Sequence, residues 1–409
     1  MSNICTALLV GVVSMLTSII VFPTALTFAK KHGIVDNPNA RKLQRVPVPV
    51  FGGVVVYLGI LIGGLVLMAL MPNRMLMWGL AAMAVMMSIG TWDDIKDLPA
   101  SFRFLTEIML VSGFILVTDI YIDDLHGLWG VYELAPWVGI PLSVFVGVGI
   151  INAINLIDGV DGYSSGYGMM ACLCFAFAFW SVWNPVMVCM ALIVIGALFP
   201  FFLHNVFGAK SRMFIGDGGT LMLGMLMVVM SFYAMSGKGA MNPMEQQGFC
   251  IPAFLIAVGC IPLFDTVRVM TMRILRGKSP FKPDKTHLHH LFIDMGFSHL
   301  GAALSILLIN AMVVIVWFLM WKAGLSIEMQ VYAVMTMGLL VTFGFYKFMK
   351  VQQNGGSLDA AGYPEGSRLW HVMCRLGDWT HREDRHSWQV IRDIMDGPML
   401  GGGKTEVMP

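Results

Sequence analysis

The chain is built from long apolar runs separated by short polar punctuation, and the length of those runs is set by a membrane rather than by the core of a soluble domain. A helix rises about 1.5 Å per residue and a bilayer's hydrocarbon layer is about 30 Å thick, so roughly 20 apolar residues make one crossing. Eleven runs qualify, at residues 4–29, 50–71, 75–92, 104–121, 137–156, 167–183, 186–204, 219–236, 248–270, 302–322 and 328–347. They predict an all-α integral membrane protein of about eleven transmembrane helices. Asn184-Pro185, a turn signal, divides the stretch from 167 to 204 in two. The first run is too long for a signal-peptide core and no small-residue cleavage pattern follows it, so it reads as a helix of the mature chain.

Composition agrees with this map: 57% of the 409 residues are hydrophobic and 12% are charged, which excludes an ordinary water-soluble domain. The positions of the charges give an orientation, because cytoplasmic loops collect Lys and Arg. Loops after the odd-numbered runs hold fifteen, among them Lys30, Lys31, Arg41, Lys42, Arg45, Lys96, Arg103, Lys210 and Arg212 and six from Arg268 to Lys285. The other loops hold Arg74, Lys238 and Lys322. The expected topology puts the N-terminus outside and the C-terminus in the cytoplasm. Residues 1–348 form the membrane domain and 349–409 a cytoplasmic tail whose glycine-rich end, Gly401 to Gly403, is expected to be disordered. The seven cysteines show no paired metal-site spacing and read as packing residues.

Nearly all the reactive side chains fall on the basic side. Thr91-Trp92-Asp93-Asp94-Ile95-Lys96-Asp97 closes the third run; if its helix continues for a turn, Asp93 and Asp97 share a face and Asp94 points about 100° away. Such carboxylates hold a divalent cation or a proton, or simply form a solvated helix end. Asn152, Asn155, Asp158 and Asp161 leave the fifth run, where an Asp near mid-membrane costs roughly 2.5 to 3.5 kcal/mol, and Gly159 and Gly162 allow the tight backbone that gathers them. Asp217, flanked by Gly216, Gly218 and Gly219 where the eighth run begins, reads either as a cation ligand at a phosphate-binding helix start or as a plain N-cap. His287, His289 and His290 follow the basic loop after the ninth run, with no cysteine or zinc-protease pattern near them; phosphate binding fits better than a transition metal. The first inner loop adds Asp36, Arg41, Lys42 and Arg45, which read as contacts to an anionic lipid phosphate or as a membrane-surface anchor.

In this order, over residues from about 5 to 348, these clusters resemble the bacterial polyprenyl-phosphate N-acetylhexosamine-1-phosphate transferases, of the undecaprenyl-phosphate GlcNAc-1-phosphate transferase type. By that resemblance Asp93 and Asp94 are the family's paired aspartates, Asn155, Asp158 and Asp161 its Asn-x-x-Asp-Gly-x-Asp-Gly segment, and Asp217 its magnesium-binding aspartate. The string from Ser279 to Phe292 is similar to the loop of the GlcNAc branch, with His287, His289 and His290 as its H-x-H-H pattern. The first inner loop departs from the family, which commonly has His at Gln44 and Arg at Val50; Arg41 and Lys42 keep the pattern.

The resemblance implies transfer of a sugar-1-phosphate, GlcNAc-1-phosphate first and that of another 2-acetamido sugar or of MurNAc-pentapeptide as the alternative, from a UDP-sugar to polyprenyl phosphate with release of UMP, at the cytoplasmic face of a bacterial inner membrane. Joining two anions calls for a cation, since like charges near 5 Å repel by about 1 kcal/mol even in water. Mg²⁺, with Mn²⁺ as a substitute, is assigned to Asp217, Asn155 and Asp94. Asp93 takes or orients the proton of the lipid phosphate, and Asp94 is its catalytic partner. His287, His289 and His290 hold the diphosphate, Asp158 lies with them, Asp161 bonds the uracil, and Arg41 and Lys42 hold the lipid phosphate. The partners are thus a UDP-sugar, polyprenyl phosphate and membrane lipid, with room for a homodimer and none for nucleic acid. A secondary transporter is the rival reading, but no internal repeat is present and the charges gather at one face rather than mid-membrane.

Overall fold

A computed structural model of the chain describes residues 3–37, 46–238, 241–280, 285–354, 368–386 and 388–396. Arg41 and Lys42, Gln44, the centre of the basic loop at 281–284 and the glycine-rich end lie outside the described residues. The elements run α1 (Asn3–Lys31), β1 (Val35–Asp36), β2 (Val48–Pro49), α2 (Gly52–Leu70), α3 (Arg74–Lys96), α4 (Ala100–Thr118), α5 (Pro136–Leu156), α6 (Tyr163–Ser181), α7 (Pro185–Phe207) and α8 (Gly216–Met235). They continue with a turn, α9 (Asn242–Glu245), then α10 (Ile251–Val258), α11 (Cys260–Leu275), α12 (Leu288–Asp294), α13 (His299–Lys322), α14 (Ile327–Leu339), α15 (Tyr346–Asn354), α16 (Arg368–His386) and α17 (Gln389–Asp396).

Every expected run falls on helix, and the protein is an all-α integral membrane protein. Nine described helices are long and apolar enough to cross a bilayer, the ninth being α14 continued through a π-helical turn, Leu340–Phe345, into α15. The other two of the eleven runs need comment. Residues 248–270 do not form one straight span: α10 and α11 meet at Gly259 with a 72° bend, and the pair makes a tenth crossing only if counted as one broken span. α6 is 19 residues long but opens with Tyr163-Ser164-Ser165-Gly166, which lowers its hydropathy below that of the nine. The polar punctuation works as capping. Asn73 Oδ1 accepts from Leu76 N at 3.0 Å, Asn184 Oδ1 from Met187 N at 3.2 Å and Ser298 Oγ from Gly301 N at 3.0 Å, each cap worth about 1 kcal/mol.

α8 is the axis of the bundle. Of its apolar window 89% is buried inside the protein, against 28% for α1 and 22% for α4, which turn most of their surface outward. α2, α3 and α5 pack around it, and glycines set how closely they approach. A Cβ on Gly53 would lie 2.3 Å from Gly219 N, and one on Gly90 would lie 2.4 Å from the carbonyl oxygen of Asp217. Backbone therefore meets backbone where α8 begins, in the manner of small-residue contacts between membrane helices.

A two-stranded antiparallel ladder, not foreseen from the apolar pattern, pairs Val35 with Pro49 and Asp36 with Val48. Phe214 N donates to Pro49 O at 2.8 Å and Gly52 N to Phe214 O at 2.9 Å, tying the first inner loop to the residues just ahead of α8. Two-residue strands leave no period-2 signal to read. In the tail, α16 docks on the start of α13, where Ser298 N donates to Thr380 Oγ1 at 3.1 Å.

Candidate active site

The ends of α3, α5 and α7 converge with the starts of α4, α6, α8 and α13 around a cavity of about 1000 Å³. Its walls include Asp36, Asp93, Asp94, Arg103, Asp158, Asp161, Asp217, His290 and His299. Residues more than 260 positions apart thus share one end of the bundle, and members of all five expected clusters meet there.

Asp94 caps α8 from a different helix. Its Oδ1 accepts from Asp217 N at 3.0 Å and its Oδ2 from Gly218 N at 3.2 Å, so the carboxylate satisfies two of the amides that a helix start leaves unpaired. Asp217 is therefore no N-cap. It sits inside the first turn of α8 and turns its carboxylate to the site, accepting from Asn155 Nδ2 at 2.9 Å; Asn155 Nδ2 also lies 2.8 Å from Thr220 Oγ1. α3 extends past residue 92 to Lys96, but Asp97 takes a left-handed conformation (φ 49°) that ends the helix. Asp93 and Asp97 consequently do not act as a pair on one face.

Asp93 instead engages Arg103. Its Oδ2 lies 2.8 Å from Arg103 Nη1, and the same nitrogen is 3.2 Å from Asp217 Oδ2. One guanidinium nitrogen joins the carboxylates of α3 and α8, while Leu98 N donates to Asp93 Oδ1 at 2.7 Å. Behind Arg103, Glu107 is buried within α4 and is held by the amide of Asn152. In the apolar pattern Arg103 counts only as a loop charge and Glu107 does not stand out. The available signal was their i, i+4 spacing at the start of an apolar run, where an unpartnered Glu would be costly.

The segment after α5 folds as a tight loop. Gly162 adopts φ 81°, while Gly159 is needed for space: a Cβ there would lie 2.0 Å from His289 Nε2. Asp158 Oδ1 accepts from Ser164 Oγ at 2.6 Å. Asp158 has an exposed edge toward the cavity but is walled by protein elsewhere. Burial pushes its carboxyl up to about 7, Ser164 opposes that shift, and the charges of Asp217 and Asp161 add to it. Asp161 is buried at the cavity wall with His299 Nδ1 at 3.1 Å and Arg212 Nη2 at 3.5 Å.

The three histidines divide their labour. His290 lines the cavity, whereas His287 and His289 are buried behind it with parallel rings 5.7 Å apart. Burial, then the neighbouring His290 and His287, hold the His289 ring well below the usual imidazole range, so it packs on Gly159 in its neutral form. His287 Nδ1 is 3.0 Å from Asp265 Oδ2, which also accepts from Leu288 N at 3.1 Å. Asp265 Oδ1 accepts from Arg268 Nη2 at 2.6 Å, and Arg268 reaches Thr286 O at 2.6 Å and stacks 3.8 Å over the Tyr346 ring. This buried network orients the histidine turn and has no sequence signal: Asp265 and Arg268 sit inside an apolar run, where Arg268 reads only as a charge.

The donors facing the cavity are mainly carboxylate oxygens, with the imidazoles of His290 and His299 on its walls, Asn155 at the edge and no thiolate, a set suited to a hard divalent cation. Among the described residues no three His, Cys, Asp or Glu side chains are arranged as a complete metal cage. Mg²⁺ needs no such cage, because it is commonly held by one or two carboxylates together with substrate phosphates, and Asp217 and Asp93 already converge on a single cationic nitrogen.

The chain matches the family described as glycosyl transferase family 4 over residues 76–235. It is 30% identical over 309 residues to the undecaprenyl-phosphate alpha-N-acetylglucosaminyl 1-phosphate transferase of Escherichia coli (strain K12), covering 73% of this chain and 80% of that one. The chain belongs to this transferase family. A Bacillus subtilis (strain 168) relative, named as a probable undecaprenyl-phosphate N-acetylglucosaminyl 1-phosphate transferase, is 32% identical over 301 residues, with the same two coverages. The Yersinia pestis undecaprenyl-phosphate alpha-N-acetylglucosaminyl 1-phosphate transferase is 28% identical over 302 residues, covering 70% of this chain and 77% of that one. The stretch matching glycosyl transferase family 4 runs from α3 to the end of α8. It therefore contains Asp93, Asp94, Arg103, Asn155, Asp158, Asp161 and Asp217, the carboxylate wall of the cavity and its bridging arginine.

Proposed function

We propose that this transferase moves N-acetylglucosamine 1-phosphate from UDP-N-acetylglucosamine to undecaprenyl phosphate, releasing UMP, at the cytoplasmic face of the bacterial inner membrane. The observation that carries the reading is the single cavity at one end of the apolar bundle, where Asp93, Asp217 and Arg103 are joined and Asp158, Asp161 and His290 line the walls. A lipid phosphate held in the bilayer plane and a nucleotide arriving from water can meet only at such a boundary. The names of the relatives supply the donor sugar and the acceptor lipid, and the segregation of Lys and Arg supplies the side.

Within the cavity, Asp93 receives or orients the proton of the lipid phosphate, and Arg103 beside it offers positive charge to the incoming anions. Arg41 and Lys42 hold the acceptor phosphate. His290 supports the donor diphosphate, with His287 and His289 fixing its turn from behind, and Asp161 meets the uracil edge. Asp94 acts by fixing the start of α8, which sets Asp217 in place. Mg²⁺ would be held by Asp217, with Asn155 and Asp94 alongside, and would neutralise the diphosphate and the leaving UMP. Direct attack by the lipid phosphate is favoured over a phosphoryl-enzyme, because that phosphate is already mostly ionised near neutral pH.

Purified protein given UDP-N-acetylglucosamine labelled in its sugar, undecaprenyl phosphate and Mg²⁺ should move label into the lipid phase, and chelation should stop it. Label that stays in water under all conditions would remove the reading. Label crossing a vesicle membrane without joining lipid would establish the transporter instead.

A further inference from the structure

The loop joining α7 to α8 is gripped by the far end of the chain. Asp396, the last residue of α17, accepts hydrogen bonds from Ala209 N at 3.2 Å, Lys210 N at 3.1 Å, Ser211 N at 3.1 Å and Ser211 Oγ at 2.9 Å. Trp388, just ahead of α17, sets its ring 5.1 Å from that of Phe207 at the end of α7. From the other side, Lys30 Nζ donates to Lys210 O at 2.9 Å. Three successive amides turned toward one carboxylate make an anion-holding nest. Burial raises the Asp396 carboxyl, but the donors of Lys210, Ser211 and Ala209 together outweigh it and hold the group below the usual range, which keeps it ionised.

The gripped loop leads straight into the cavity. Arg212, the next residue, faces Asp161 at 3.5 Å. Met213 O accepts from Asn205 Nδ2 at 3.0 Å, and Asn205 Oδ1 accepts from Gly162 N at 2.6 Å, so the loop and the Asp158 to Gly162 turn share one hydrogen-bonded frame. The loop's own sequence, Gly208-Ala209-Lys210-Ser211, has no bulky apolar side chain with which to fix itself, and its side-chain tie back to α7 is Ser211 Oγ, 3.1 Å from His204 Nδ1. An external carboxylate therefore supplies the anchor, and a basic loop favours an acidic one.

We infer that Asp396 is a positioning residue for the donor end of the cavity: it seats the Ala209 to Ser211 backbone and thereby holds Arg212 opposite Asp161. The tail, which lies beyond the stretch that resembles the family, thus serves as a strap on the site. The inference rests on the reading of this cavity as the nucleotide-sugar site.

The test uses the full chain in detergent or liposomes and compares wild type with Asp396→Ala and Asp396→Asn. Two quantities are read: hydrogen exchange of the Ala209 to Ser211 amides, and KM and kcat for UDP-N-acetylglucosamine. Asp396→Ala should exchange these amides at least tenfold faster and raise the donor KM by roughly five- to tenfold, with kcat within about twofold of wild type. Asp396→Asn, which keeps one accepting oxygen, should fall between. Unchanged exchange, or faster exchange with unchanged KM, would overturn the inference, as would a fall in kcat accompanied by general loss of thermal stability. A wild type that ignores the donor while Asp396→Ala still exchanges faster would remove the donor reading and support the anchor.

Discussion

Asp217 shows how one residue type acquires a role from its neighbours. A carboxylate in the first turn of a helix is ordinarily a favourable partner for the helix's own amides. Here Asp94 takes that task from α3, and Asp217 is left to face Asn155 and Arg103. Asp217→Asn should lower turnover by two or more orders of magnitude, with the protein still monodisperse in detergent, since the amide preserves shape and removes charge; a rate near wild type would exclude Asp217 from the chemistry. Asp158 gives a prediction in pH. Its carboxyl is raised to about 7 in the fold against an ordinary value near 4 in the unfolded chain. Between those values the folded protein keeps a proton that the unfolded chain releases, so this residue's contribution to stability is full below about 4 and is lost as pH rises through about 7. Thermal unfolding should therefore show wild type losing more stability than Asp158→Asn between about pH 5 and 8, and parallel curves would contradict the crowded environment assigned to Asp158.

At the scale of elements, the site depends on how closely α2 and α3 approach the start of α8. Gly53 and Gly90 remove the side chains that would hold them apart, and both touch backbone that cannot yield cheaply. Gly90→Val should separate α3 from α8 and break the Asp94 cap with it. Expected outcomes are loss of most activity and a fall in unfolding temperature, both measurable on the same detergent preparation. If activity stays at the wild-type level, the close approach is not what positions Asp217. The bend between α10 and α11 is a second element-scale feature that hydropathy hid, because each half is apolar and the sum reads as one span. Its consequence is local: α11 carries Asp265 and Arg268 to the histidine turn, where they orient His287.

For the whole molecule, the convergence of loops at one end of the bundle is what makes the distribution of charge meaningful. In a background lacking native cysteines, Cys at Gln44 or Asp284 should be shielded from an impermeant thiol reagent added to intact cells, and Cys at Asp124 should be labelled. The reverse pattern would put the cavity on the outer side, away from any nucleotide pool. Asp124 belongs to the opposite end of the bundle, where Asp123 accepts from Gly237 N at 2.6 Å, beyond the ends of α4 and α8 that lie away from the cavity.

The sequence by itself determined the solvent, the helices and the chemical inventory. Apolar runs of membrane length can satisfy their backbone only as helices, and the cost of a carboxylate near lipid marks Asp93, Asp94, Asp158, Asp161 and Asp217 as residues with a purpose. Their caps, Asn73, Asn184 and Ser298, were also there to be read, because capping is local in sequence. Only the tertiary structure decided which carboxylate caps and which faces the cavity, that Arg103 bridges two helices, and that Asp265 and Asp396 hold loops from a distance. Those outcomes depend on contacts between residues as much as 187 positions apart. Such contacts carry no periodic signal along the chain; they arise where packed helix ends leave amides, guanidinium groups and carboxylates that must find partners away from water.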